Sequence, residues 1–312
     1  MPHPISKLPK NIKPEKLLAF SVYLLAVAAP ISIVLAQIAA GLVILSGIAC
    51  TASRSERIRL PVWGSILLPS FLVLVLLSSF FSYDLVSAVP QLKKSWVMIC
   101  FFPMVAFSSA FSLKRLVDLL ILGTGVTSLL GLFRYITGAV ERAAPFSGGY
   151  TTMALFEAAM IPLALAFFAE GKSSKRWFYL SAGVVMAAGL FFSGTRAGWF
   201  SAAVGVLIVG SYLNKKRTAI GLLIAVALLA AIPHSRGLIV ERFKADKKGV
   251  VTSGRASLYV ASLEPISHLP FWGYGPGSFK KLAPESLLEE IGDTGIQSWH
   301  STPLEILIES GP

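Results

Sequence analysis

Nine apolar runs dominate this chain and decide its solvent. They fall at about 17–32, 34–51, 62–81, 96–111, 116–136, 151–169, 177–193, 198–213 and 219–233. Most approach the ~20 residues that a helix needs to cross the hydrocarbon core of a bilayer. More than half of the residues (54%) are hydrophobic and only 14% are charged, which excludes an ordinary soluble domain. The pattern predicts an all-α integral membrane protein, a polytopic helical bundle of about nine spans plus the start of a tenth. The first two runs form one stretch from Leu17 to Cys50, too long for one crossing. Pro30, with Ser32 and Gln37 near it, predicts a hairpin of two spans.

The net charge of +12 invites a nucleic-acid reading, which the positions of the charges exclude. The basic residues stand in short clusters between apolar runs, as in cytoplasmic loops. Lys7, Lys10, Lys13 and Lys16 precede the first hairpin, and Arg54, Arg57 and Arg59 follow it, so both flanks are expected on the cytoplasmic side. Alternation then places Lys114/Arg115, Lys172/Lys175/Arg176 and Lys215/Lys216/Arg217 on the same side. The opposite face receives the loops at about 82–95, 137–150, 193–197 and 234–302. Lys93 and Lys94 are the exception, two basic residues on an outer loop. The last loop mixes both signs, and long translocated loops escape the charge bias.

Three parts follow: a transmembrane bundle over 1–233, a periplasmic loop subdomain over 234–302, and 303–312 as the start of a further span. Because the chain stops there, a fragment of a longer protein is expected. No cleavable signal peptide is evident. Within the outer loop, Ser253-Gly254 can start a helix from Arg255 towards Glu264, broken by Pro265 and Pro270. Phe271-Trp272-Gly273-Tyr274-Gly275-Pro276-Gly277 reads as a turn, and Ser278 to Ile291 as a second short helix. Cys50 and Cys100 lie inside apolar runs and read as packing residues.

Few residues can carry chemistry. Arg196, in Ser193-Gly194-Thr195-Arg196-Ala197-Gly198-Trp199, sits at the outer junction of two spans. It is either an arginine snorkelling to the interface beside Trp199 or a ligand-binding group in a context of small residues. Arg255 opens a predicted helix, where a guanidinium beside helix N-terminal amides suits phosphate; the alternative is a solvated charge. Arg134 and Arg142 lie near the outer end of the fifth span and can enlarge the same basic site. His300, at the start of the last apolar segment, can exchange a proton near neutral pH, or be structural. Glu157 is an intramembrane carboxyl that must be paired, protonated or facing water, either as partner to an arginine or in handling acceptor or proton. Glu289, Glu290 and Asp293 cluster on a helix, as an exposed acidic face or a metal site. No DxD, HExxH or P-loop is present. The glycines at 273, 275 and 277 lack the strand-turn-helix setting of a dinucleotide site.

Four motifs in order carry a resemblance. They are Ser193-Gly194-Thr195-Arg196, Ser253-Gly254-Arg255-x-x-Leu258-Tyr259, Pro270-Phe271-Trp272-Gly273-Tyr274-Gly275-Pro276-Gly277-Ser278-Phe279, and His300-x-x-x-Leu304-x-x-Leu307-x-Glu309-x-Gly311. Together they resemble the O-antigen ligase and polymerase superfamily of bacterial envelope proteins. By motif the resemblance covers about 190–311. It departs at Ser301, where the family usually has Asn.

The resemblance implies an inner-membrane glycosyltransferase of the GT-C type that uses no nucleotide sugar. Such an enzyme takes a glycan from undecaprenyl pyrophosphate at the periplasmic face. A ligase gives it to lipid A–core; a polymerase gives it to another repeat unit. The family's outward arginines correspond to Arg196 and Arg255, and its loop histidine to His300. Binding of the donor is thus expected at Arg196, Arg255, Arg142 and Glu157, with His300 as base and no metal or cofactor. A transporter or flippase for an anionic lipid-linked substrate is the competing class. It calls for charges deep in several spans and inverted repeats, whereas these motifs crowd one face.

Overall fold

The computed structural model describes residues 13–53, 62–83, 85–86, 88–89, 96–146, 149–170, 175–213, 255–291, 298–299 and 301–312. In chain order the helices are α1 (Pro14–Ile31), α2 (Ile33–Ser53), α3 (Val62–Phe80), α4 (Phe101–Ala106), α5 (Leu113–Ile136), α6 (Gly149–Glu170), α7 (Lys175–Ser193), α8 (Arg196–Leu213), α9 (Arg255–Ser267), α10 (Phe279–Leu282), α11 (Glu285–Ile291) and α12 (Thr302–Ser310). No strand occurs among the described residues. Among the described residues, six helices are long and apolar enough to cross a membrane by length and composition: α1, α2, α5, α6, α7 and α8. A helix satisfies its own backbone polar groups, which lipid cannot do for it. The chain divides into two compact units, Met1–Ile58 with Pro103–Leu238, and Arg59–Phe102 with Ile239–Pro312.

In the first unit, the predicted hairpin is present. α1 ends at Ile31, Ser32 is extended (φ −155°, ψ 130°), and α2 starts at Ile33. α1 packs on α2 and α5, α5 on α6 and α7, and α6 on α7 and α8. Contact is close where side chains are small, as membrane helices require without a hydrophobic drive between them. Thr127 of α5 donates to the Pro30 carbonyl at 3.0 Å, satisfying one of the acceptors that the end of α1 leaves open. Cys50 is buried here and Cys100 is buried in the second unit, as packing residues are.

The start of α5 and the start of α7 share one end of this unit. Asp118 receives the Tyr179 hydroxyl at 2.7 Å and lies 3.6 Å from the Lys175 ammonium. The Arg115 guanidinium sits over the Tyr23 ring, and Arg176 over Phe168. Two of the basic flanks expected on one face, 114–115 and 175–176, therefore lie together. The opposite end carries Arg134, Arg142 and Arg196.

The run at 96–111 is not one span. It forms a 3₁₀ segment at Trp96–Cys100, then α4, then a 3₁₀ turn at Ser108–Ala110. Pro103 explains the break, since it has no N–H for the carbonyl four residues earlier and its ring crowds that carbonyl. The run at 219–233 lies outside the described residues.

In the second unit, α9 to α12 enclose a core of Leu258, Phe279, Ala283, Leu287, Trp299 and Ile308. α9 continues past Glu264 to Ser267 with Pro265 inside its last turn. The second loop helix, expected unbroken from Ser278 to Ile291, is split into α10 and α11 at Ala283-Pro284. Pro284 disfavours helical backbone at the residue before it, and Ala283 is extended (ψ 132°).

Candidate functional site

In the first unit the arginine end is built on a two-residue junction. α7 stops at Ser193, Gly194 takes φ +66°, and α8 begins at Arg196. The positive φ is a conformation that side chains other than glycine's oppose. Ser193 Oγ accepts from Thr195 N at 3.2 Å and donates to the Leu190 carbonyl at 2.7 Å. The Trp199 indole N–H donates to that same carbonyl at 2.9 Å, and its ring stacks on Phe191. The tryptophan next to Arg196 thus closes the helix junction. Arg196 itself is exposed at the first turn of α8, where backbone N–H groups have no intrahelical partner. The Thr195 hydroxyl oxygen is buried beside it without a hydrogen-bond partner.

The two other arginines of this end differ from each other. Arg134 donates to the carbonyls of Ala144 and Pro145, at 3.2 and 2.7 Å, and lies over the Phe146 ring. It shapes the loop that follows α5. Arg142 lies over the Tyr150 ring, with its centroid at 4.7 Å. That loop is tied to the end of α7 by Ala143 N donating to the Phe192 carbonyl at 3.0 Å.

Glu157 is fully buried in α6, about 12 Å along the helix from Gly149 at ~1.5 Å per residue. Its partner is a hydroxyl rather than an arginine: Ser128 Oγ of α5 donates to Oε1 at 2.6 Å. Gly189 of α7 makes room for it, because a Cβ there would overlap Oε1. Its second oxygen, Oε2, is buried without a hydrogen-bond partner. Nothing in the sequence pairs Ser128 with Glu157; the pairing emerges only from how α5 and α6 pack.

In the second unit, Arg255 is the first residue of α9. His300 lies outside the described residues, as do Asp293, Lys93 and Lys94. The neighbours of His300 are both well held. Trp299 is fully buried edge-to-face against Phe279, and the Ser301 carbonyl accepts from Glu305 N at 2.8 Å to open α12.

The glycine-rich turn is a clasp on the end of α12. Tyr274 N donates to the Ile308 carbonyl at 2.9 Å, and Gly275 N to the Glu309 carbonyl at 3.0 Å. The Glu309 carboxylate accepts from Gly277 N at 2.7 Å, and the Ser78 hydroxyl of α3 donates to the Glu309 carbonyl. On its other side Tyr274 accepts from Tyr83 N at 2.9 Å. Gly273 and Gly275 have φ +72° and +90°, and a Cβ at either would run into Glu309 backbone or Ser82. The turn read as a loop is therefore a latch, and Glu309 is the site-region residue that spacing alone did not single out. Among the described residues, no group of three His, Cys, Asp or Glu comes together to hold a metal.

Six membrane-length apolar helices and the absence of strands among the described residues define an all-α, multi-pass membrane protein. Residues 181–312 match the family model described as O-antigen ligase, which supports the resemblance to the O-antigen ligase superfamily. The family is one of glycosyltransferase-like ligases and polymerases. The match contains Arg196, Arg255, His300, the glycine turn and Glu309; Arg142 and Glu157 fall before it. No curated protein and no solved structure matches the chain.

Proposed function

We propose that the protein transfers a glycan from undecaprenyl pyrophosphate to a sugar hydroxyl of lipid A–core at the periplasmic face of the bacterial inner membrane. The observation that carries this reading is the O-antigen ligase domain over 181–312, which encloses both candidate arginines and the candidate base. The acceptor hydroxyl attacks the sugar carbon, the carbon–oxygen bond to pyrophosphate breaks, and the hydroxyl proton passes to His300. Arg196 and Arg255 bind the departing pyrophosphate with charge-assisted, bidentate hydrogen bonds. Arg196 at the start of α8, beside the buried Thr195 hydroxyl that has no hydrogen-bond partner, has the chemistry of an anion contact. Arg142 and Glu157 are assigned supporting roles in donor binding. The apolar helices hold the polyprenyl tail, so binding energy far from the reacting carbon serves the reaction.

The test is transfer by the purified full-length protein from lipid-linked donor, with lipid A–core and lipid-linked repeat units as separate acceptors. Transfer only to the repeat units would replace the ligase reading with a polymerase one. Activity is expected to persist in excess EDTA. It should rise with pH through the imidazole range near ~6.5 and then level off, because the base acts only when unprotonated. His300→Ala should remove most turnover while leaving donor binding nearly unchanged. Activity abolished by EDTA and restored by a divalent ion would refute the metal-free scheme and direct attention to Glu289, Glu290 and Asp293.

The proposed orientation has its own check. Single cysteines are placed at Lys13 and Lys248 in a background lacking Cys50 and Cys100. In intact spheroplasts an impermeant thiol reagent should label position 248 and spare position 13. The reverse pattern would invert the topology and take the arginine end away from the periplasm.

A further inference from the structure

The second unit exposes a cluster of aromatic side chains that the glycan chemistry does not use. Phe80, the last residue of α3, is 76% exposed, and Phe271, at the tip of the clasp turn, is 79% exposed. Phe81 and Trp272 join them: Phe81 meets Phe80 edge-to-face at 5.4 Å and stacks on Trp272 at 4.9 Å. Tyr83 stands on the same chain end, with the Lys281 ammonium over its ring at 5.8 Å. Lys280 is exposed on the same short helix.

We infer that this cluster is an interfacial anchor, in which Phe271 and Trp272 insert into the headgroup boundary of the bilayer beside the end of α3. Three observations favour lipid as the occupant. α3 is a 19-residue helix without a charged residue, about 28 Å long at ~1.5 Å per residue, against a hydrocarbon core of ~30 Å. Large apolar side chains along it, from Ile66 through Leu74 to Phe80, are exposed, as side chains facing lipid are. The aromatic cluster begins where α3 ends, and the next residue after Phe81 is the polar Ser82. Aromatic side chains with an apolar body collect at this depth, and lysines beside them meet anionic headgroups.

The ring stack between Phe81 and Trp272 ties the turn to the depth of α3's end. The same turn grips Glu309 and the end of α12, whose first residue follows Ser301. The anchor stands by itself.

The test is collision accessibility of a nitroxide in the full-length chain, reconstituted in phosphatidylethanolamine–phosphatidylglycerol vesicles. Labels are attached at Phe271→Cys and, as a water-facing control, at Glu285→Cys, both without Cys50 and Cys100. Phe271 is exposed, so its replacement leaves the core of the unit intact. At 271, collisions with oxygen should exceed those with a water-soluble nickel chelate severalfold, and at 285 the order should reverse. Brominated lipids should also quench the wild-type fluorescence more than that of Trp272→Phe. Chelate accessibility at 271 equal to that at 285 would overturn the anchor. So would a label shielded from both reagents, which would mean that a second protein chain covers the face. Because the readout is not transfer, a chain that inserts its tip but moves no glycan would refute the proposed function and leave the anchor standing.

Discussion

Replacing Arg196 by alanine in the full-length protein is expected to lower glycan transfer by about 10²–10³-fold, the loss typical of one preorganised donor to developing negative charge. The amount of protein in the membrane should not change. The α7–α8 junction is held by Ser193, Gly194, Thr195 and Trp199, all of which the substitution leaves in place. Arg255→Ala should behave similarly. Lysine at either position should restore only part of the rate, since a point charge cannot reproduce a planar fork. Initial rates on purified protein, normalised to membrane content, provide the measurement. Full activity in both lysine variants would show that neither bidentate contact exists.

The second large effect is on stability. Gly273→Ala is expected to destabilise the second unit by about 2–5 kcal/mol, combining the left-handed backbone cost with overpacking. The new Cβ would meet the Glu309 backbone carbonyl and the Gly311 nitrogen, so the clasp would have to open. Gly138→Ala is the control. It has the same φ of +72°, with nothing within 4 Å of the added carbon. It should lose only the backbone cost, about 1–2 kcal/mol. Apparent melting temperatures in detergent compare the two. Equal losses would mean that the glycine turn does not latch the end of α12.

Much of the bundle was legible because lipid imposes length and apolarity directly. The runs at 17–32, 34–51, 116–136, 151–169, 177–193 and 198–213 correspond to α1, α2, α5, α6, α7 and α8, with boundaries shifted by a few residues. The run at 96–111 misled because hydropathy averages over residues and does not register that Pro103 withholds a backbone donor. The same blindness applied to Pro284, which divides the second loop helix. Arg196 stood out in the sequence because an arginine between apolar runs is rare, and the structure places it at the first turn of α8. The domain match over 181–312 agrees with the four motifs. Contacts between residues far apart in the chain were not legible. Glu157 was expected to have an arginine as one of its options and has Ser128 instead. Arg134 looked equivalent to Arg142, yet it binds two carbonyls of its own loop. Glu309 was one letter of a motif until the clasp supplied its partner, Gly277.

The carboxyl of Glu157 also has a consequence for how the protein is made. A carboxyl in the middle of an apolar helix costs on the order of a few kcal/mol to leave water for lipid, and α6 meets that cost as it enters the membrane. Ser128 belongs to α5, which leaves the ribosome first, so the hydroxyl that receives Glu157 is synthesised before the carboxyl. Gly189, the wall opposite, follows only with α7. The pocket is therefore assembled from three successive helices, whose parts are synthesised in the order Ser128, Glu157, Gly189.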